Sequence, residues 1–318
     1  MKRYKRLWLR HARILFAVLV LMMIAGSIWD LPISRTLYPG HESSIGQFFA
    51  AFGEQPAFLA ISAAGVLLLL RRRSINPGWN TLLAFSGGAL ILFGIVMNVH
   101  EAVDNVAQLP LWVAALVTVF MTLVCSVLLA MASREASTKT VLRFILTVTF
   151  VAIVTALLIN VIKIPWGRVR MRLIVQAGNE SYFTPWWQAG GTLKRQLLAE
   201  GVAKSEFRSF PSGHTACAAC AMLMILLPTL SKRLQKRTTL CFLLGCVWTL
   251  AVALSRICMG AHFLTDVTAA SLVFLGVATL GIWLFYLNPR VFGRIWNFLA
   301  ARQSPLQTMM QQKPDETE

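Results

Sequence analysis

The sequence predicts an all-α protein, a polytopic transmembrane helix bundle of about eight spans. Three observations carry that prediction. Of the 318 residues, 57% are hydrophobic and 14% are charged, with a mean hydropathy of +0.64; a soluble domain would carry about 25% charged residues. Several apolar runs approach the roughly 20 residues that a helix needs to cross a bilayer. The runs also lack the period-2 alternation of barrel strands, which leaves helices as the structure that satisfies its own backbone in hydrocarbon.

Read in order, the spans fall at about 12–29, 49–70, 79–99, 110–132, 141–162, 213–230, 239–258 and 263–287. The first follows a basic start and resembles a secretory signal. Its apolar run is long for a signal core and no strong A-x-A site follows, so it is read as an uncleaved helix. Gly87-Gly88 in "AFSGGALILFG" and the small residues of "HTACAACAM" suit close helix contact. The regions expected are an N-terminal membrane part (1–140), a catalytic membrane core (141–290) with a cap loop at 163–210, and a cytoplasmic tail (291–318). Within the cap, Trp186 and Trp187 suit the headgroup belt, and a short amphipathic helix is expected near 192–200. The tail after Asn288 reads as polar and loosely ordered.

The net charge of +17 would suit nucleic acid, but its distribution follows topology instead. With a cytoplasmic N-terminus, 20 of the 30 Lys and Arg fall on the cytoplasmic side. The opposite side of this expected inner membrane receives "HEAVDN" at 100–105, the cap loop and the 256–262 turn. Glu101 and Asp104 there read as an ordinary solvated loop. The six cysteines lack paired zinc-like spacing and read as small buried residues.

Three polar clusters share the non-cytoplasmic face. Lys163, Arg168, Arg170 and Arg172 follow the fifth span; Ser212, Gly213 and His214 open the sixth; Ser255, Arg256, His262 and Asp266 join the seventh to the eighth. Several fixed cations imply an anion with many oxygens, and guanidinium matches phosphate. "PSGH" at a helix start offers free N–H groups and a hydroxyl as a phosphate cradle. His262 and Asp266, four apart, are expected on one helix face, the aspartate fixing the tautomer so that the other nitrogen attacks. His214 would protonate the departing oxygen. The reaction inferred is phosphoryl transfer through a phosphohistidine, with no metal and no cofactor.

The three clusters resemble the signature of the type 2 phosphatidic acid phosphatase superfamily: K-x6-R-P, then P-S-G-H, then S-R-x5-H-x3-D. Lys163 and Arg170 fit the first element, residues 211–214 the second, and Ser255, Arg256, His262 and Asp266 the third. The match covers about 163–266, a third of the chain. Two features depart: Met171 stands where the family has proline, and eight spans are counted where many members have six helices, so the resemblance implies a core of six with the extra pair ahead of Lys163. The resemblance implies that His262 is the nucleophile, oriented by Asp266; that His214 is the acid and later activates water; that Lys163, Arg170, Ser212, Gly213 and Arg256 bind the phosphoryl group; and that no metal is needed. Arg168 and Arg172 lie outside the signature, where a solvated or headgroup role is weighed against auxiliary substrate binding.

The partners expected are the lipid bilayer and a phosphorylated lipid, such as undecaprenyl diphosphate, phosphatidylglycerol phosphate, phosphatidic acid or a lipid A phosphate. Two rival readings stand beside hydrolysis. One is lipid-to-lipid phosphotransfer at the same site; the other is an ion or solute transporter, which would place polar groups deep within several spans.

Overall fold

The computed structural model describes residues 2–40, 43–106 and 108–300. Helix α1 (Lys2–Leu37) is kinked at Trp29, three residues ahead of Pro32, which cannot donate to the preceding turn. The second span is broken: α2 (Ser44–Phe52), capped by the Ser43 hydroxyl, gives way at Gly53 and Glu54 to α3 (Gln55–Ile75), with Pro56 in its first turn. Next come α4 (Asn80–Asn105), α5 (Leu111–Ala132) and α6 (Thr138–Trp166). The cap carries α7 (Met171–Ala177) and α8 (Gly191–Ala199). The sixth span starts as α9 (Gly213–Ala219), tightens to a 3₁₀ turn over Cys220–Leu226 and ends as α10 (Leu227–Leu230). Helices α11 (Thr238–Cys258), α12 (Leu264–Ile282) and α13 (Pro289–Ala300) complete the order.

Among the described residues, eight helical stretches are long and apolar enough to cross a membrane, and no strand occurs. The fold is the all-α membrane-type bundle that the composition predicts. Helix α9 lies at its centre, touching α3, α6, α11 and α12, while α1 packs along α12. Helix α5 touches α3 and α4 and turns Leu111, Trp112, Leu116, Phe120 and Leu123 outward, as a lipid-facing helix should.

Close approach of α3 and α4 depends on glycine. A Cβ on Gly65 would lie 2.5 Å from the Gly87 carbonyl oxygen, and one on Gly94 would lie 2.5 Å from that of Phe58. The expectation for Gly87 therefore stands, whereas Gly88 faces open space and makes no such contact. The tail reading also needs correction, because residues 289–300 form α13, whose Phe292 is buried. The rest of that tail, 301–318, lies outside the described residues.

The cap is tied to the bundle by a small apolar cluster of Val169, Met171, Ile174, Leu197, Phe207 and Phe263. Met171 is the first residue of α7 and is 1% exposed. Proline is tolerated at that first position, so the departure from the signature exchanges a stiff residue for a packed one on the same helical path. Helix α8 falls where a helix was expected. Trp187 is exposed, while Trp186 donates from Nε1 to the Ser27 hydroxyl at 2.9 Å and ties the cap to α1.

Candidate active site

The site forms where span ends meet. Helix α6 ends at Trp166, with Gly167 in the left-handed region at φ +68°, so the chain reverses at once and carries Arg168 and Arg170 back over the bundle. Helix α11 closes through Gly260 at φ +60°, with the Ala261 and His262 N–H groups returning to the Arg256 carbonyl. These two turns, together with the start of α9, aim their side chains into one 660 Å³ cavity. Its wall includes Lys163, Arg170, Arg172, Arg208, Gly213, His214, Arg256 and His262.

Not every predicted residue reaches that cavity. Ser212 is fully buried and caps α9, its Oγ accepting from the Thr215 N–H at 3.3 Å and from the Thr215 hydroxyl at 3.0 Å; the hydroxyl expected to face the anion is spent on the helix. Gly213 does reach the wall, and a Cβ there would sit 3.2 Å from Lys163 Nζ. Ser255 Oγ donates to the Val252 carbonyl at 2.7 Å, within its own helix.

Arg168 differs most from expectation. Its side chain is 0% exposed and does not line the cavity. Nη1 donates to Asp266 Oδ1 at 2.6 Å and to Thr265 Oγ1 at 2.9 Å, Nη2 to Asp30 Oδ2 at 2.9 Å, and Nε to the Thr184 carbonyl at 2.8 Å. The guanidinium also lies over the Phe263 ring at 4.2 Å. A solvated or substrate-binding role is thereby replaced by a buried ion triad. Arg172 lines the cavity but gives its guanidinium to the Glu206 carboxylate.

The His262–Asp266 relation is real but not helical. His262 precedes α12, and its Nδ1 lies 2.6 Å from the Ser209 carbonyl, with Asp266 Oδ2 at 3.8 Å. Asp266 Oδ2 accepts from the Ser209 hydroxyl at 2.5 Å and from the Phe263 N–H at 2.8 Å. The aspartate thus holds the Ser209 segment, whose carbonyl in turn holds the ring. With Nδ1 engaged, Nε2 is the nitrogen left for attack. Burial holds the His262 pKa well below its usual value, helped by the Lys163 and Arg170 charges and opposed by Asp266; the ring is neutral, as a nucleophile must be.

Several cavity groups escaped the sequence reading. Glu54, at the break between α2 and α3, meets His214 Nδ1 at 2.8 Å. Its signal was an acid between Gly53 and Pro56 inside an apolar run. Arg208 also lines the wall, as do Glu101 and Asp104, which lie on the last turns of α4 rather than in a loop, Asp104 still exposed. Asp30 is a second intramembrane acid that the hydropathy reading passed over.

Comparison with known proteins bears on the second half of the chain. The PAP2 superfamily profile matches residues 140–291. A phosphatidylglycerophosphatase B from Bacillus subtilis (strain 168) is 38% identical over 99 residues, a stretch amounting to 29% of this chain and 43% of that relative. The chain therefore spans less than half the length of the curated relative it matches. No solved structure matches the chain significantly.

Proposed function

We propose, from the match of residues 140–291 to the PAP2 superfamily, that this protein is a membrane lipid phosphatase. His262 attacks a lipid phosphomonoester or diphosphate, forms a phosphohistidine and yields it to water. One observation carries the reading: a single cavity is lined both by a cluster of cations and histidines and by apolar side chains from three helices. At the polar end stand Lys163, Arg170, Arg256, the Gly213 helix start, His214 and His262. Away from it the lining turns apolar, through Phe58 and Ile61 on α3, Phe93 and Met97 on α4, and Ile153 and Leu157 on α6. A lipid would lay its chain between those helices and present its phosphate at their ends.

In this scheme Lys163, Arg170 and Arg256 neutralise the phosphoryl oxygens, with Arg supplying planar donors. Asp266 acts through the Ser209 segment to keep His262 oriented, and His214 serves the leaving group and then the water. Withdrawal of Arg168 from the cavity and the presence of Glu101 and Asp104 favour one phosphate over two. Phosphatidylglycerol phosphate is the first substrate to test, because the B. subtilis relative carries that activity in its name. An inner-membrane location with the site on the outer face accords with the basic residues at the opposite span ends.

The test is phosphate release by purified protein in detergent from phosphatidylglycerol phosphate, phosphatidic acid, undecaprenyl diphosphate and lipid A phosphates, with excess chelator present. Activity should survive chelation and be lost in His262→Ala. A metal requirement, or full activity in that variant, refutes the mechanism; phosphate recovered on a second lipid would make the enzyme a phosphotransferase.

A further inference from the structure

Glu54 stands outside the segment that matches the superfamily, yet it is among the groups nearest to His214. His214 is buried, and each of its ring nitrogens faces an acceptor: Nε2 lies 3.0 Å from the Ala50 carbonyl, and Nδ1 lies 2.8 Å from Glu54 Oε1. A carbonyl only accepts and an ionised carboxylate only accepts. Both contacts are satisfied together when the ring carries both protons. The Ala50 carbonyl has no proton to exchange, so Nε2 keeps its hydrogen throughout, and the proton that can move is the one between Nδ1 and Glu54.

Position reinforces the point. Glu54 lines the same cavity as His262, Lys163 and Gly213, and its Oε1 is 3.7 Å from where a Cβ on Gly213 would lie. It is set there by the break in the second span, where Gly53 follows α2 and Pro56 lies in the first turn of α3. The Trp248 indole donates to the Gly53 carbonyl at 3.3 Å, pinning the break against α11.

We infer that Glu54 is the acid–base partner of His214, the two holding between them the proton that the departing lipid oxygen takes. This rests on the phosphatase reading above. As His262 Nε2 bonds to phosphorus, the P–O bond to the lipid breaks and its electron pair stays on the lipid oxygen. That oxygen takes the shared proton, leaving a neutral imidazole and a carboxylate. In the second half a water oxygen bonds to phosphorus and the N–P electrons return to His262. The water's proton restores the pair. Nothing else is consumed, and the Ala50 hydrogen bond is kept at every stage.

A leaving group that needs no proton separates this role from a structural one. The full-length protein in detergent is given a lipid alkyl phosphate and, separately, an aryl phosphate with an alkyl tail, and the first turnover is timed. Glu54→Gln should slow alkyl release by about 100-fold or more, the span of general acid catalysis, while the aryl burst stays within about threefold. Glu54→Asp should recover part of the alkyl rate. Equal losses on both substrates, or an alkyl rate in Glu54→Gln equal to that of the unmodified protein, overturns the assignment. If the unmodified protein releases no phosphate from either substrate, or His262→Ala matches it on both, the phosphatase reading itself falls and takes this assignment with it.

Discussion

Replacing Arg168 by methionine removes the cation of the buried triad and keeps most of its volume. Four hydrogen bonds go, two of them to carboxylates at 2.6 and 2.9 Å, and neither Asp30 nor Asp266 is more than 4% exposed. Water cannot take the guanidinium's place at such depth, so two anions are left facing each other in low dielectric. Breaking a buried pair in this way costs about 3–5 kcal/mol, and thermal unfolding in detergent should show a correspondingly large loss. Arg172→Met is the control: its pair with Glu206 is partly exposed, and about 0.2–1 kcal/mol is expected. Adding Asp30→Asn to Arg168→Met should recover part of the loss, since one anion is then gone; a non-additivity of about 0.5–3 kcal/mol is the size expected for groups in contact. An Arg168→Met protein as stable as the unmodified one would refute the burial argument.

Two further predictions concern packing and protonation. Gly94→Ala should destabilise by about 1–3 kcal/mol because its methyl meets the Phe58 carbonyl, the scale of overpacking, while Gly88→Ala, in open space, should be neutral or gain about 0.5–1 kcal/mol from helix propensity; unfolding midpoints decide it. The ring of His262 should not titrate between pH 8 and 5, because burial lowers its pKa in the folded state. An unfolded histidine takes up a proton near 6.5, so the unfolded chain binds more protons below that pH and the stability from this group falls as pH drops. NMR of labelled histidines, with His262 assigned by its loss in His262→Gln, would show an inflection near 6.5 if this were wrong.

The signature residues were legible because they come as three spaced elements at span ends, where hydropathy changes sign. Lys163, Arg170, Gly213, His214, Arg256 and His262 do meet in one cavity. Ser212 was placed in the right neighbourhood with the wrong contact, and Asp266 was placed beside His262, as the structure has it at 3.8 Å, but by the wrong geometry. A serine before a helix can cap it or face a ligand, and spacing does not choose between the two. For Asp266, the four-residue spacing to His262 suggested a helical pair, but the helix starts only at Leu264 and the aspartate instead caps it through the Phe263 N–H. Glu101 and Asp104 were missed because the apolar run ends before them, although α4 continues to Asn105. Glu54 is a single acid inside an apolar run, which window-averaged hydropathy absorbs, and Asp30 falls just past the end of the first run, although α1 continues to Leu37.

Composition, apolar length and motif order by themselves determined the solvent, the all-α class, the eight spans and the segments that face one another at a single end of the bundle. Those are properties of neighbouring residues, and the chain carries them locally. Only the tertiary structure decided which charges enter the cavity and which are neutralised beneath it. Arg168 is matched by Asp30, 138 residues away, and His214 by Glu54 on a different span. A buried charge is stable only beside its partner, and that partner is chosen by how the helices pack, which no single stretch of sequence records.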